Sequence, residues 1–187
     1  MSDESQPPFS AVAAFHGHVC PGLAMGYRMA LEAMRSLQVA RSDDEELVAV
    51  VENDACGVDA LQYLTGCTFG KGNLVFRDYG KQVYTLFHRP TGRAVRVTTV
   101  EDPGGRARRT AQGEDREQWI EWLLGAPAAL VVKAESVDRV PPPTARIRRS
   151  VPCAACGERV METRARVWEG QTCCLPCFEA AQARAEG

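Results

Sequence analysis

The sequence predicts an α+β fold, an antiparallel or mixed sheet with helices packed on it, followed by a small module closed by four cysteines. Three observations predict it. Helical spacing of apolar residues over Pro21 to Leu37 gives way to a short β-branched run, Leu47 to Val51, and then to three strand-like runs between Leu74 and Val100 divided by turn residues. A Pro-Pro-Pro run at 141–143 precedes the cysteine pairs 153/156 and 174/177. At 187 residues the chain exceeds one usual domain and falls short of two, which fits a main domain with an appendage.

The elements follow in order. After a proline-containing leader, Leu23, Tyr27, Ala30 or Leu31, Met34 and Leu37 recur at helical spacing, and Pro21 suits the first turn, where its missing N–H costs nothing. Leu47-Val48-Ala49-Val50-Val51 is short and β-branched enough for a buried strand, ending at Glu52-Asn53-Asp54. Gly57 to Thr65 reads as a short helix with Leu61 and Leu64 inward and Gly66 as its stop; Gly70 to Asn73 is a loop. Leu74 to Asp78, Gln82 to His88 and Ala94 to Val100 read as an antiparallel meander. Gly104 to Gly113 is a basic loop, Glu114 to Leu124 a second long helix with Trp119, Ile120, Leu123 and Leu124 on its apolar face, and Leu130 to Val137 a last strand. The expected division is a core over 1–140, a Pro/Arg linker over 141–150, and a four-cysteine zinc finger with a C-terminal helix over 151–187.

With 45% hydrophobic and 25% charged residues, the composition is that of a folded globular chain. The polar, acidic start MSDESQPPF reads as neither a signal peptide nor a membrane span, and a net charge of −2 supplies no long-range attraction for nucleic acid or an anionic membrane. Eight cysteines, several of them clustered, then read as metal ligands or reactive thiols of a cytoplasmic protein rather than as disulfides.

In Cys153-Ala-Ala-Cys156 and Cys174-Leu-Pro-Cys177, each two-residue spacing turns two thiolates toward one ion, and the seventeen residues between leave room for a small hairpin carrying Met161 to Trp168. Four sulfurs close a tetrahedral shell, which suits structural Zn2+. A segment this short cannot bury enough apolar surface to fold alone, so the metal supplies the missing free energy. A redox dithiol and an iron–sulfur cluster are the competing readings. Cys173 is an alternative to Cys174, but only Cys174 keeps the spacing to Cys177. Residues 141–187 carry seven Arg and five Glu, and a zinc tetrathiolate adds two negative charges, so a protein-contact finger is favoured over a nucleic-acid one.

Phe15-His16-Gly17-His18-Val19-Cys20-Pro21 concentrates two of the three histidines and a cysteine before a helix. In an extended stretch His16, His18 and Cys20 would alternate onto one face and grip a transition metal; the competing reading is a helix cap with a buried cysteine and surface histidines. Cys20 at the helix start is placed for thiolate character. A second polar group, Asn53, Asp54, Cys56, Asp59, Gln62, Cys67, Thr68 and Lys71, follows the apolar strand, where backbone donors and side chains converge; here too Cys56 and Cys67 can be read as small buried hydrophobes and an aspartate as a helix cap. His88 at a strand end reads as structural.

HGHVCPGLAMGYR, then ENDACGVDALQYLTGCTFGKGNLVFRDYGK, then RPTGRAVRV and the four-cysteine tail together resemble, over essentially the whole chain, the FmdE-like family, which takes its name from one of the subunits of formylmethanofuran dehydrogenase. The resemblance implies an α+β core followed by a zinc finger, often as a homodimer, and association with a molybdenum- or tungsten-dependent oxidoreductase. It implies a core site at His16, His18, Cys20, Asn53, Cys56, Asp59, Gln62, Thr68, Lys71 and Lys81, whose expected occupant is a second transition metal or a small ligand. The leading expectation is a metal-binding accessory protein. The alternative is a stand-alone enzyme in which His18, Cys20 and Cys56 hold zinc with one position open and Asp59 or His16 serves as base. A thiol redox protein using Cys20 and Cys56 is a third reading.

Overall fold

The computed structural model describes residues 6–105 and 115–186 and divides into two compact units, Met1–Ala145 and Arg146–Gly187. In the first, helix α1 (Phe9–His16) ends at Gly17, whose φ of 94° makes the left-handed stop that glycine adopts freely. Helix α2 (Pro21–Leu37) starts where the sequence places it, and Cys20 is its N-cap, the thiol accepting from Leu23 N at 3.3 Å. Strand β1 (Leu47–Val51) and helix α3 (Gly57–Thr65) also keep their expected bounds, with Gly66 as the left-handed cap.

Strands β2 (Leu74–Phe76), β3 (Val83–His88), β4 (Arg93–Thr99) and β5 (Val132–Ser136) complete a sheet of order β2-β1-β3-β4-β5. The expected meander is therefore corrected at its first strand: β3 and β4 pair antiparallel, but β1 lies between β2 and β3 and β2 runs parallel to β1. The reason is burial. All of β1 is apolar and suits the interior of the sheet, whereas short β2, with Phe76 exposed, suits an edge and is returned parallel by the α3 crossover. Helix α4 (Arg116–Gly125) is capped by Asp115, whose carboxylate accepts from Gln118 N at 2.8 Å. Of the expected basic loop, residues 106–113 lie outside the described residues, as does Glu114 at the expected helix start.

Leu23, Met29, Ala33 and Leu37 of α2, Leu61 and Leu64 of α3, and Leu123 of α4 join Leu47, Ala49, Val51, Leu86, Val95 and Val97 of one sheet face in a single core. At the crossing of α2 and α3 two glycines meet backbone to backbone: a Cβ on Gly26 would stand 2.2 Å from Gly57 Cα, and one on Gly57 2.5 Å from the Tyr84 hydroxyl. Past β5 the proline run is tied back to the same unit, with Arg89 Nη1 donating to Pro142 O at 2.8 Å and Ala145 N to Glu45 Oε2 at 3.1 Å.

The second unit holds two hairpins rather than one, β6 (Ser150–Pro152) with β7 (Arg159–Met161) and β8 (Arg166–Trp168) with β9 (Gln171–Cys173), followed by helix α5 (Leu175–Glu186). Met161 therefore belongs to the first hairpin and Trp168 to the second. Cys153 and Cys156 lie in the turn of the first hairpin, and Cys174 and Cys177 where the second passes into α5. Trp168 packs edge-on against Phe178 at 5.8 Å.

Candidate metal centres and cleft

In the C-terminal unit the donor atoms of Cys153, Cys156, Cys174 and Cys177 lie within 4.8 Å of one another. Tetrahedral bonds of about 2.3 Å would place sulfurs about 3.8 Å apart, and the Cys156 and Cys174 sulfurs already stand at 3.9 Å. Cys174 N donates to Cys153 Sγ at 3.3 Å, and backbone N–H donors from Cys156, Cys174 and Ala155 bring the Cys153 thiol down to about 6. Hydrogen bonding to the Cys174 thiol pushes Cys177 up in turn, so one thiolate forms readily and the rest of the set needs a cation to offset the crowding. Cys173, buried on β9, lies outside this group, so the donor set is the one the spacing selects.

In the core, the donor atoms of His16, His18, Cys20 and Cys56 likewise lie within 4.8 Å of one another. They do not converge by alternation along an extended stretch. His16 is the last residue of α1, the chain turns at Gly17, and Cys20 opens α2, so a helix–turn–helix brings the first three together. Cys56 arrives from the start of α3, and the small residues at the helix crossing make the approach: Gly22 would put a Cβ 3.5 Å from Cys56 Cβ and 3.9 Å from Cys20 Sγ. Burial, then hydrogen bonding to Cys20, raises the Cys56 thiol above its ordinary value, so proximity without a cation disfavours ionising it.

His16 shows the clearest preparation. Its Nδ1 lies 2.7 Å from Asp59 Oδ2, and Asp59 Oδ1 accepts from Gln62 Nε2 at 3.2 Å. A carboxylate only accepts, so Nδ1 carries a proton, and in the neutral ring Nε2 is the nitrogen left with the lone pair. Nε2 is buried and has no hydrogen-bond partner among the described residues. A buried, unpaired acceptor beside two thiols and a second imidazole fits a metal ion, with Asp59 and Gln62 orienting the ligand from behind.

Beside this cluster, at the carboxyl end of β1, opens a cleft of about 400 Å³. Val51, Val58, Phe69, Leu74 and Phe76 supply apolar walls, and His16, Asn53, Asp54, Cys56, Asp59 and Gln62 the polar ones. The cleft lies beyond the carboxyl end of β1, on the side of its one parallel pairing, with β2. Asn53 is mainly architectural, accepting from Ala55 N at 3.1 Å and donating to Lys81 O at 2.6 Å.

Thr68 and Lys71 are not brought to the cleft. Lys71 Nζ donates to the carbonyls of Asp43 and Asp44 at 3.2 Å, and Thr68 Oγ1 accepts from Lys71 N at 3.3 Å. Lys81 contributes backbone, its N–H donating to Glu52 O at 2.9 Å. The residue that organises this loop is fully buried Asn73, accepting from Thr68 N and donating to Asp44 O and Leu47 O. Sequence reasoning missed the aromatic walls, Phe69 and Phe76; an apolar residue amid polar loop residues was the available signal. His88 holds Thr91 Oγ1 at 2.8 Å in a turn, a structural role.

Fold and sites define a metal-binding protein: an α+β core carrying a His/Cys cluster beside a cleft, and a small domain whose four cysteines fit zinc. No helix among the described residues is long and apolar enough to cross a membrane. Residues 15–133 match the family described as FmdE, Molybdenum formylmethanofuran dehydrogenase operon, and the chain belongs to that family. The chain is similar to a tungsten formylmethanofuran dehydrogenase FmdE-like protein from Syntrophus aciditrophicus, with a TM-score of 0.70 and 25% identity over 92% of this chain and 90% of that one. It is also 33% identical to a probable S-adenosyl-L-methionine-binding protein of Archaeoglobus fulgidus, over 87% of this chain and 50% of that protein. The chain thus spans about half the length of that relative.

Proposed function

We propose that this protein is a metal-binding accessory component of a molybdenum- or tungsten-dependent oxidoreductase system. Cys153, Cys156, Cys174 and Cys177 hold a structural Zn2+, and His16, His18, Cys20 and Cys56 hold a second transition metal beside a ligand cleft. The protein acts in the cytoplasm as a homodimer, with residues 1–140 carrying the ligand site, 151–187 the finger, and 141–150 joining them. The observation that carries the reading is the buried Nε2 of His16, unpartnered among the described residues, within a cluster of four donors, its opposite ring nitrogen held by Asp59. The family description and the description of the Syntrophus relative support the oxidoreductase setting.

A second reading, a stand-alone metal-dependent enzyme, is favoured by the way the cleft reaches His16, Cys56 and Asp59 directly. In that case Cys20, Cys56 and His18 hold the ion, and Asp59 or His16, both of which line the cleft, serves as base. S-adenosyl-L-methionine, which the Archaeoglobus relative is described as binding, is a ligand to test in the cleft. Its adenine would suit Phe69 and Phe76, and its sulfonium Asp54 and Asp59. The deciding experiment is elemental analysis of metal per chain on wild type and on a His18→Ala/Cys20→Ala double variant. Two ions falling to one is the expected result; one ion in both proteins leaves only the finger and overturns the core site.

A further inference from the structure

The four core donors are not held alike. His16 is 11% exposed in its side chain, with Nδ1 fixed on Asp59 at 2.7 Å. Cys20 is 6% exposed, and its sulfur is fixed by Leu23 N at the first turn of α2. Cys56 is set by the glycine crossing of α2 on α3, where neither helix can shift without opening a backbone-to-backbone contact. His18 has none of these restraints. It is exposed, it follows Gly17, where a Cβ would meet no described atom within 4 Å, its ring stands 4.4 Å from the His16 ring between centroids, and it makes no hydrogen bond among the described residues. Arg116 Nη2 donates to Val19 O at 3.3 Å, a bond to the backbone past His18 and not to its imidazole.

We infer that His18 is the exchangeable donor of the core cluster, and that the site, given the core metal proposed above, is built as three fixed ligands and one that an incoming donor replaces. Fixing a ligand lowers the entropy lost when it binds, so the fixed donors set the affinity of the site. An unfixed imidazole loses rotamer freedom on each binding event and gains no second hydrogen bond in return. The bond that breaks is His18 nitrogen to metal; the bond that forms is from a neutral or anionic nitrogen or sulfur lone pair of the incoming ligand, and nothing is oxidised or reduced. A closed tetrahedral shell is structural, whereas three protein ligands and an exchangeable fourth position admit a substrate or a partner's side chain. This separates the core site in kind from the four-cysteine finger.

The test uses the full chain loaded with Co2+, comparing His16→Ala, His18→Ala, Cys20→Ala and Cys56→Ala for bound metal and visible absorption. Cys20→Ala supplies the finger-only spectrum to subtract. His18→Ala is expected to keep the core ion with affinity lowered about tenfold, and the other three to lose more than the roughly 100-fold that removal of an orienting partner alone can cost. Added imidazole is expected to shift the core spectrum of His18→Ala toward that of wild type, a rescue that a merely destabilised protein would not show. Loss of the core ion from His18→Ala as complete as from Cys20→Ala, with no response to imidazole, overturns the inference and leaves the core metal standing. A wild-type spectrum equal to that of Cys20→Ala overturns the core metal itself.

Discussion

Replacing Gly26 with alanine tests whether the glycine crossing of α2 and α3 assembles the core site. The new Cβ would stand 2.2 Å from Gly57 Cα and 2.4 Å from Gly57 O. Carbon pairs rest about 3.5–4.0 Å apart, so the helices must separate by more than about 1 Å. Both partners are backbone, and no rotamer relieves the contact. Such overpacking costs about 3 kcal/mol at the upper end of its usual range, against about 1 kcal/mol gained from alanine's better helix propensity. The net is a destabilisation of about 2 kcal/mol, or a fall in Tm of roughly 4–8 °C for a chain of this size. Because Cys20 opens α2 and Cys56 precedes α3, the same displacement pulls two donors apart and weakens core metal binding. Thermal melting followed by far-ultraviolet circular dichroism, with metal analysis on the same samples, reads both effects. Gly125→Ala, at the end of α4 where a Cβ would meet no described atom of another element within 4 Å, is the control and leaves Tm unchanged or raised by up to about 4 °C. A Gly26→Ala protein that melts at or above wild type with its core ion retained would refute the reasoning.

Asp59→Asn removes the carboxylate that orients His16 and is expected to lower core metal affinity about 10- to 100-fold while leaving Tm nearly unchanged, measured by competition with a chromophoric chelator. Arg28 donates to Leu123 O at 2.5 Å, Leu124 O at 2.9 Å and Ala126 O at 2.6 Å, closing the end of α4. Arg28→Met leaves those carbonyls without this partner and is expected to cost about 3 kcal/mol in urea unfolding. Burial pushes the Cys67 thiol up from 9.0 to about 11, so between those values the folded state binds the proton and the unfolded state releases it. Its contribution to stability is complete below pH 9 and is lost as pH rises toward 11, by up to about 3 kcal/mol. Wild type is therefore expected to lose that much relative to Cys67→Ala across this window in urea titrations; parallel curves would count against it.

Where local signals are strong, the sequence was legible. Helices α2 and α3 and strand β1 stand at their expected limits because their determinants are adjacent residues: Pro21 at a first turn, Gly66 as a left-handed stop, five apolar residues in a row. The finger ligands were legible because a two-residue spacing fixes thiolate geometry within one turn of chain. Helix α1 escaped notice because eight residues with only Val12 and Ala13 buried carry little periodicity. The placement of β2 escaped because pairing depends on which strand is buried on both sides, and that depends on partners distant in sequence.

The candidate site divides along the same line. That His16, His18, Cys20 and Cys56 are metal-ligand types, and that the four C-terminal cysteines suit zinc, follows from residue identity and spacing. Only the tertiary structure decided that Asp59, 43 residues along the chain, turns His16 toward the cluster, or that Gly26 meets Gly57 to bring Cys56 to Cys20. It also moved Thr68 and Lys71 out of the site, because their polar groups are used by neighbouring backbone. The physical reason is one of range: caps, turns and paired-cysteine spacings are settled by a few adjacent residues, whereas the second hydrogen bond that orients a ligand comes from whichever element packing has brought alongside.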